Sequence, residues 1–104
     1  MQYLVVMRMR DHKDSAMQEK REANRPAHIE NATRLQEQGH LLLGGAILDE
    51  EGLPAGSAAV AQFDTRAELD MWLANDPWAV AGVWQDVEVI PFRIAPHYLE
   101  HLSH

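Results

Sequence analysis

The stretch Asn75-Asp76-Pro77-Trp78-Ala79-Val80-Ala81-Gly82-Val83 ends the second predicted helix and sets a carboxylate beside an aromatic side chain. A proline ring pushes the preceding residue out of the α region, so the helix that runs into Asp76 is expected to end there, with its carboxylate on a bend. Because Asp76 lies beside this bend, we expect some solvent to reach it.

The helix before this stretch has an equally clear start. Residues 65–68, Thr-Arg-Ala-Glu, have the capping-box pattern, in which the Thr hydroxyl and the Glu carboxylate each satisfy a free amide at a helix start. The apolar stripe of this helix contains Leu69, Trp72 and Leu73, and Asp76 is the next position on it. The carboxylate is therefore expected to face the core.

An earlier helical pattern covers residues 14–24 and 27–38, and Gly39 supplies its stop. Pro26 lies between the two parts and either interrupts the helix or begins another, because proline fits a first turn but breaks an interior. The core-facing stripe of the second part contains His28, Ala32 and Leu35 at i, i+4 and i+7. His28 is therefore expected to point inward.

Four segments have strand patterns, at residues 3–7, 40–48, 57–63 and 84–92. The first three carry apolar residues at consecutive positions, which indicates that both of their faces are covered. Residues 49–56 have the composition of a hairpin loop. Pro91 in the last strand favours an edge position, because proline cannot donate a ladder hydrogen bond.

The element order β-α-β-β-α-β predicts an α+β protein with a ferredoxin-like fold, a four-stranded antiparallel sheet with two helices on one face. Two helices cover one face only, so the open apolar face is expected to pack against a second copy in a homodimer. We expect one domain over residues 1–92 and a tail over residues 93–104, with a short helix starting at Pro96.

Composition excludes several classes of partner. The 104 residues carry a net charge of −7, and the nine Lys and Arg residues are scattered, so neither nucleic acid nor an anionic membrane is an expected partner. The sequence has no apolar run near the roughly 18 residues of a membrane span and no basic signal-peptide start. The absence of cysteine fits a reducing compartment, and we expect a cytoplasmic protein.

His28 and Asp76 are the residues most able to carry chemistry. Taken singly, an inward histidine is most simply bonded to a carbonyl, and Asp before Pro is a common turn start. Taken together, they lie on core-facing stripes of helices that share one face of the sheet, and an inward carboxylate needs a partner to offset its desolvation. An imidazole bonded to Asp76 would keep its other nitrogen free for general-base chemistry.

Two other constellations carry less weight. His97, His101 and His104 fall at i, i+4 and i+7, a spacing that could hold a metal on a helix, but an exposed tail without cysteine is more simply a frayed end, and we expect no metal site. The pair Gly44-Gly45 lies inside an apolar strand and lacks the spacing of a phosphate loop, so no nucleotide site is expected there.

Six short motifs in order resemble the YCII-related family of small bacterial proteins over residues 3–92. They are Arg25-Pro26-Ala27-His28, Gly39 with Gly44-Gly45, Gly56-Ser57, Asn75-Asp76-Pro77-Trp78, Ala81-Gly82-Val83 and Val89-Ile90-Pro91-Phe92. The resemblance implies a ferredoxin-like chain that pairs into a dimeric α+β barrel with an architecture similar to that of muconolactone isomerase.

The resemblance also implies a site. The family's His-Asp dyad carries over onto His28 and Asp76, and its pocket residues carry over onto Arg25, Ser57 and Trp78, with no cofactor. By their residue types alone, the last three are a surface charge, a turn hydroxyl and a structural ring. This chain has Gly45-Ala46 where the family usually has Gly-Pro. It also has Trp78 where the family commonly has tyrosine, which removes a phenolic hydroxyl.

Two functions are compatible with these residues. In the first, the protein is a lyase- or isomerase-like enzyme for small cyclic or aromatic compounds, by analogy with a related enzyme that removes chloride from a chlorinated hydroxyhydroquinone. His28 would then be the general acid/base, Asp76 would orient it, and Arg25 would orient an anionic or phenolic ligand. In the second, the same pocket serves a non-catalytic metabolite-binding or regulatory module. Loss of turnover on replacing His28 separates the two.

Overall fold

The computed structural model describes residues 1–102 and contains one four-stranded sheet. Its elements are β1 (Gln2–Arg8), α1 (Ser15–Glu37), β2 (Leu41–Leu48), β3 (Pro54–Gln62), α2 (Arg66–Asn75), α3 (Pro77–Val80), β4 (Asp86–Phe92) and α4 (Pro96–Leu102). The strand order is β2-β3-β1-β4, and each neighbouring pair is antiparallel. This confirms the predicted ferredoxin-like arrangement, and β4 lies at an edge as Pro91 indicates.

The core lies between the sheet and the helices. Tyr3, Val5 and Met7 alternate along β1 toward the helices and are at most 5% exposed. They pack in one cluster with Leu69 of α2 and Trp78 of α3. Complete burial of a side chain such as Val5 or Leu69 contributes about 1.5–3 kcal/mol, so this layer holds the helices on one face.

Pro26 lies inside α1, which runs through it without a break. An interior proline removes a helical hydrogen bond and costs about 3 kcal/mol. The packing of Trp78 against this part of α1 offsets that cost, and its indole N–H donates to the carbonyl of Arg21 at 2.9 Å. The sequence left two alternatives for Pro26, an interruption of the helix and the start of a second helix, and both are wrong.

Two strand boundaries differ from the predicted ones by more than one residue. β3 begins at Pro54, because the carboxylate of Asp49 accepts from the amides of Glu51 and Leu53 and closes a shorter turn. β4 begins at Asp86, because Trp84 belongs to the core and is 7% exposed.

The sheet face opposite the core cluster, here called the open face, carries large apolar side chains. Paired residues on neighbouring strands share a face, so Leu4 and its partners Val60 and Ile90 lie on it, as do Leu43 and Phe92. Leu43 is 59%, Phe92 42% and Ile90 36% exposed in the single chain.

The C-terminal segment forms the predicted short helix α4, with His97 and His101 on it, and His104 lies outside the described residues. Within residues 1–102, no group of three or more His, Cys, Asp or Glu side chains could hold a metal ion. No helix in the same range has the length and apolar character needed to cross a membrane.

Candidate functional site

Asp76 joins the last two core helices. Its backbone is extended at φ −58° and ψ 139°, the conformation that a following proline imposes, and α2 ends one residue before it. Its carboxylate caps α3 by accepting from the backbone N–H of Trp78 at 2.9 Å. The side chain has 0% exposure, so the prediction that solvent reaches Asp76 is wrong. Asp76 therefore both ends α2 and points into the core.

The structure brings His28 and Asp76 together. His28 Nδ1 lies 2.9 Å from Asp76 Oδ1, and the amide of Asn31 donates to Oδ2 at 3.2 Å. A carboxylate only accepts hydrogen bonds, so Nδ1 of His28 carries the proton in this contact. Nε2 of His28 has no hydrogen-bond partner within residues 1–102 and is free to accept.

The imidazole of His28 is also held by aromatic rings. It stacks on Trp78 with ring centroids 3.6 Å apart and planes at 11°, and it meets Trp84 edge to face at 5.6 Å. Its side chain keeps 14% exposure. The ring is therefore fixed in orientation and still reachable from one side.

That reachable side belongs to a cavity of about 510 Å³ between α1 and the strands β2 and β3. Binding sites for small molecules have volumes of about 300–1,000 Å³. One wall is formed by Gly44, Gly45 and Ala46, which carry no side chain larger than a methyl group. Gly44 pairs with Ala59 on the core face of the sheet, so its missing side chain leaves part of the space that the cavity occupies, and Ala46 is part of the cavity wall.

Four of the five predicted site residues line this cavity, namely Arg25, His28, Ser57 and Trp78, and Asp76 is bonded to His28. Ser57 is 8% exposed, and its hydroxyl oxygen accepts from Trp84 Nε1 at 3.3 Å, which leaves its proton available to a ligand. Trp78 directs its indole N–H to a backbone carbonyl, so it contributes a flat apolar surface where a phenolic hydroxyl is missing. Arg25 is exposed at the rim.

Three residues of the site did not emerge from the sequence: Arg21, Asn31 and Trp84. Arg21 is only 7% exposed, lines the cavity, and places its guanidinium carbon 4.6 Å from the ring centroid of Trp78. The available signal was helical spacing, because Arg21 lies seven residues before His28 and Asn31 three residues after it, on the same helix face.

A second His-Asp pair lies away from the cavity. His12 Nε2 is 2.9 Å from Asp49 Oδ2, and the two side chains are 21% and 17% exposed. The bond from His12, followed by that from the Leu53 amide, holds the pKa of Asp49 below its usual value. Neither residue lines the cavity, so this pair serves as an internal control for His28 and Asp76.

Comparisons with known proteins identify relatives of this chain by sequence. A YciI protein of Escherichia coli is 34% identical over 96 residues, which are 86% of this chain and 96% of that protein. An uncharacterized protein of Haemophilus influenzae is 41% identical over 81 residues, which are 72% of this chain and 83% of that protein.

One solved structure with a similar fold is 5-chloro-2-hydroxyhydroquinone dehydrochlorinase (TftG) from Burkholderia phenoliruptrix in complex with 2,5-dihydroxybenzoquinone. It matches with a TM-score of 0.75 at 22% identity and covers 93% of this chain and 98% of that chain. A profile described as the YCII-related domain matches residues 1–93. The chain therefore belongs to the YCII-related family.

Proposed function

We propose that the cavity is the active site of a lyase- or isomerase-like enzyme for small cyclic or aromatic compounds, with His28 as general acid/base. The observation that carries the proposal is the bond of 2.9 Å from His28 Nδ1 to the buried carboxylate of Asp76, which leaves Nε2 beside the cavity without a partner among residues 1–102. Asp76 acts as a positioning residue, because its bond to Nδ1 holds the imidazole in one orientation.

The proton balance of such a reaction needs only His28. Nε2 takes a proton from an O–H or C–H group of the ligand, whose electron pair stays on the ligand. In an isomerisation the imidazolium returns the proton to another atom of the same molecule. In an elimination a leaving group departs as an anion with the electrons of its broken bond, and the imidazolium releases its proton to water. Neither route requires an oxidant, a reductant or a second substrate.

The size and lining of the cavity support a ring compound. The structural relative TftG is a dehydrochlorinase, and its solved complex contains a hydroxylated quinone. A single six-membered ring fits within about 510 Å³ beside the imidazole of His28. Ser57 offers a hydroxyl proton to an oxygen of such a ring, and Arg25 at the rim offers a positive charge.

We also propose that the open face packs against the same face of a second copy. Leu43, Ile90 and Phe92 would otherwise leave a large apolar patch in water, and such patches mark interaction surfaces. This arrangement would form the dimeric α+β barrel that the family resemblance implies.

Turnover of a named probe tests the enzyme proposal. We expect chloride release from 5-chloro-2-hydroxyhydroquinone, and we expect His28→Gln to slow it at least ~100-fold, because general acid/base catalysis contributes about 10²–10⁴-fold. His12→Ala is the control and should leave the rate within about twofold. If chloride release were equal in wild type and His28→Gln, the general-base role would be refuted. If 2,5-dihydroxybenzoquinone bound without turnover of the chlorinated probe, the result would favour the non-catalytic binding module.

A further inference from the structure

We infer that Arg21 selects ligands that carry an anionic oxygen, a carboxylate or a ring oxide, and anchors that oxygen in the cavity. The inference takes its location from the proposed function and adds the group that recognises the ligand. It starts from the burial of Arg21, whose side chain is 9% exposed although arginine is rarely enclosed without a full set of partners.

The hydrogen bonds of Arg21 are incomplete. A guanidinium has five N–H donors, and within residues 1–102 this one makes a single side-chain bond, from Nη1 to Glu22 at 3.0 Å. The Glu22 side chain is 64% exposed, so this ion pair contributes little to holding the charge. In the same range, Trp72 Nε1 is the fully buried side-chain nitrogen that has no hydrogen-bond partner. Nε and Nη2 of Arg21 also have no hydrogen-bond partner there, so they are not fully buried and a ligand can reach them.

The charges that line the cavity all have one sign. Among residues 1–102, its lining includes the charged side chains of Arg21 and Arg25 and no aspartate or glutamate. The whole chain has 16 acidic residues and a net charge of −7, so this positive lining runs against the overall composition. Clefts lined by one sign of charge concentrate ligands of the opposite sign.

Arg21 is better prepared to bind an anion than Arg25. Its guanidinium lies over Trp78 at 4.6 Å, and the indole N–H of Trp78 donates to the carbonyl of Arg21 itself, so both ends of the residue are held. Arg25 is exposed and would lose side-chain freedom on binding. A planar guanidinium that is already in place can bind two oxygens of a carboxylate, or neighbouring ring oxygens, at once.

Matched probe pairs in calorimetric titrations test this inference. Benzoate against benzamide isolates a carboxylate, and 2,5-dihydroxybenzoquinone against its 2,5-dimethoxy analogue isolates a ring oxide. The wild type should prefer the anionic member of at least one pair, and this preference should weaken as salt concentration rises. The pair that shows the preference identifies the source of the anionic oxygen. Equal affinity within both pairs would overturn the inference.

The variant Arg21→Met keeps the apolar stem and removes the charge. It should weaken binding of the anionic probe by about 10- to 100-fold and leave the neutral analogue within about threefold. Arg25→Met, the control one helical turn away, should weaken the anionic probe less than about fivefold. If Arg21→Met bound the anion as the wild type does, or lost both probes equally, the selecting role would be refuted.

Two further variants, Arg21→Lys and His28→Gln, allow these outcomes to be interpreted. If Arg21→Met did not fold, as judged by circular dichroism, Arg21→Lys retains the charge and loses the planar fork, and it should still lose about 3- to 10-fold for the anion alone. Unchanged affinity in Arg21→Lys would then refute the inference. His28→Gln should lose turnover and keep the preference for the anion, so failure of the general-base proposal and failure of this inference give different results.

Discussion

Replacing His28 by alanine tests whether its bond to Asp76 exists in solution. In His28→Ala the carboxylate keeps its bonds from Trp78 and Asn31 and loses the one from Nδ1, while its own side chain stays in a site with 0% exposure. A hydrogen bond to a charged group contributes about 1.5–3 kcal/mol. Loss of the ring stack on Trp78 adds roughly 0.5–1.5 kcal/mol. Water that enters the space left by the imidazole recovers part of this stabilisation. We therefore expect the free energy of unfolding of His28→Ala to fall by about 2–4 kcal/mol.

The pairwise part of this loss is measured by a double-mutant cycle with Asp76→Ala. The coupling energy should be about 1.5–3 kcal/mol, because the loss of the ring stack depends only on His28, the loss of the α3 cap depends only on Asp76, and both cancel in the cycle. The free energy of unfolding is measured by urea denaturation near neutral pH, followed by circular dichroism. All four proteins are compared at one protein concentration, since dissociation of a dimer makes stability depend on concentration.

The pair His12 and Asp49 supplies the matched control. Its donor–acceptor distance is also 2.9 Å, but its side chains are 21% and 17% exposed, against 14% and 0% for His28 and Asp76. Solvent screens the more exposed pair, so its coupling energy should be clearly smaller. A coupling below about 0.5 kcal/mol between His28 and Asp76 would show that the bond does not form. The positioning role of Asp76 would then be withdrawn.

Three further predictions concern packing, assembly and pH. Gly56→Ala should destabilise the fold by about 1–3 kcal/mol, because its Cβ would lie 2.4 Å from the carbonyl oxygen of Met7. In the control Gly44→Ala, the added Cβ would have no contact below 3.7 Å. Equal urea midpoints for the two variants would contradict this prediction. Ile90→Asp on the open face should convert a dimer into a monomer, as measured by sedimentation. The control Met71→Asp, at a helix position that is 64% exposed, should leave the dimer intact. A wild type that is monomeric at micromolar concentration would refute the dimer. The lowered pKa of Asp49 means that its stabilisation is complete above its unfolded value of about 3.9 and is lost as pH falls through the folded value. Asp49→Asn should therefore be less stable than wild type near neutral pH and equally stable in strong acid, and a difference that did not change with pH would exclude this role.

The sequence by itself determined the order of the four strands and both ends of α2, because these depend on local interactions. The Thr65 hydroxyl accepts from the amide of Glu68 at 3.2 Å as the capping box predicts. The proline after Asp76 ends α2 as its steric effect requires. Helical periodicity also identified His28 and Asp76 as inward residues, because every turn of a helix repeats the same face.

Only the tertiary structure decided which groups meet inside that face. Periodicity places a residue on a stripe but does not say which side chain of another element it contacts, so Asn31 and the buried guanidinium of Arg21 were not identified. Burial is likewise a non-local property: Asp76 lies at a helix end and yet loses all contact with solvent, and Arg21 is covered by Trp78 from a segment 57 residues away in the sequence. The continuity of α1 through Pro26 has the same origin, because packing against α3 outweighs the local cost of the proline.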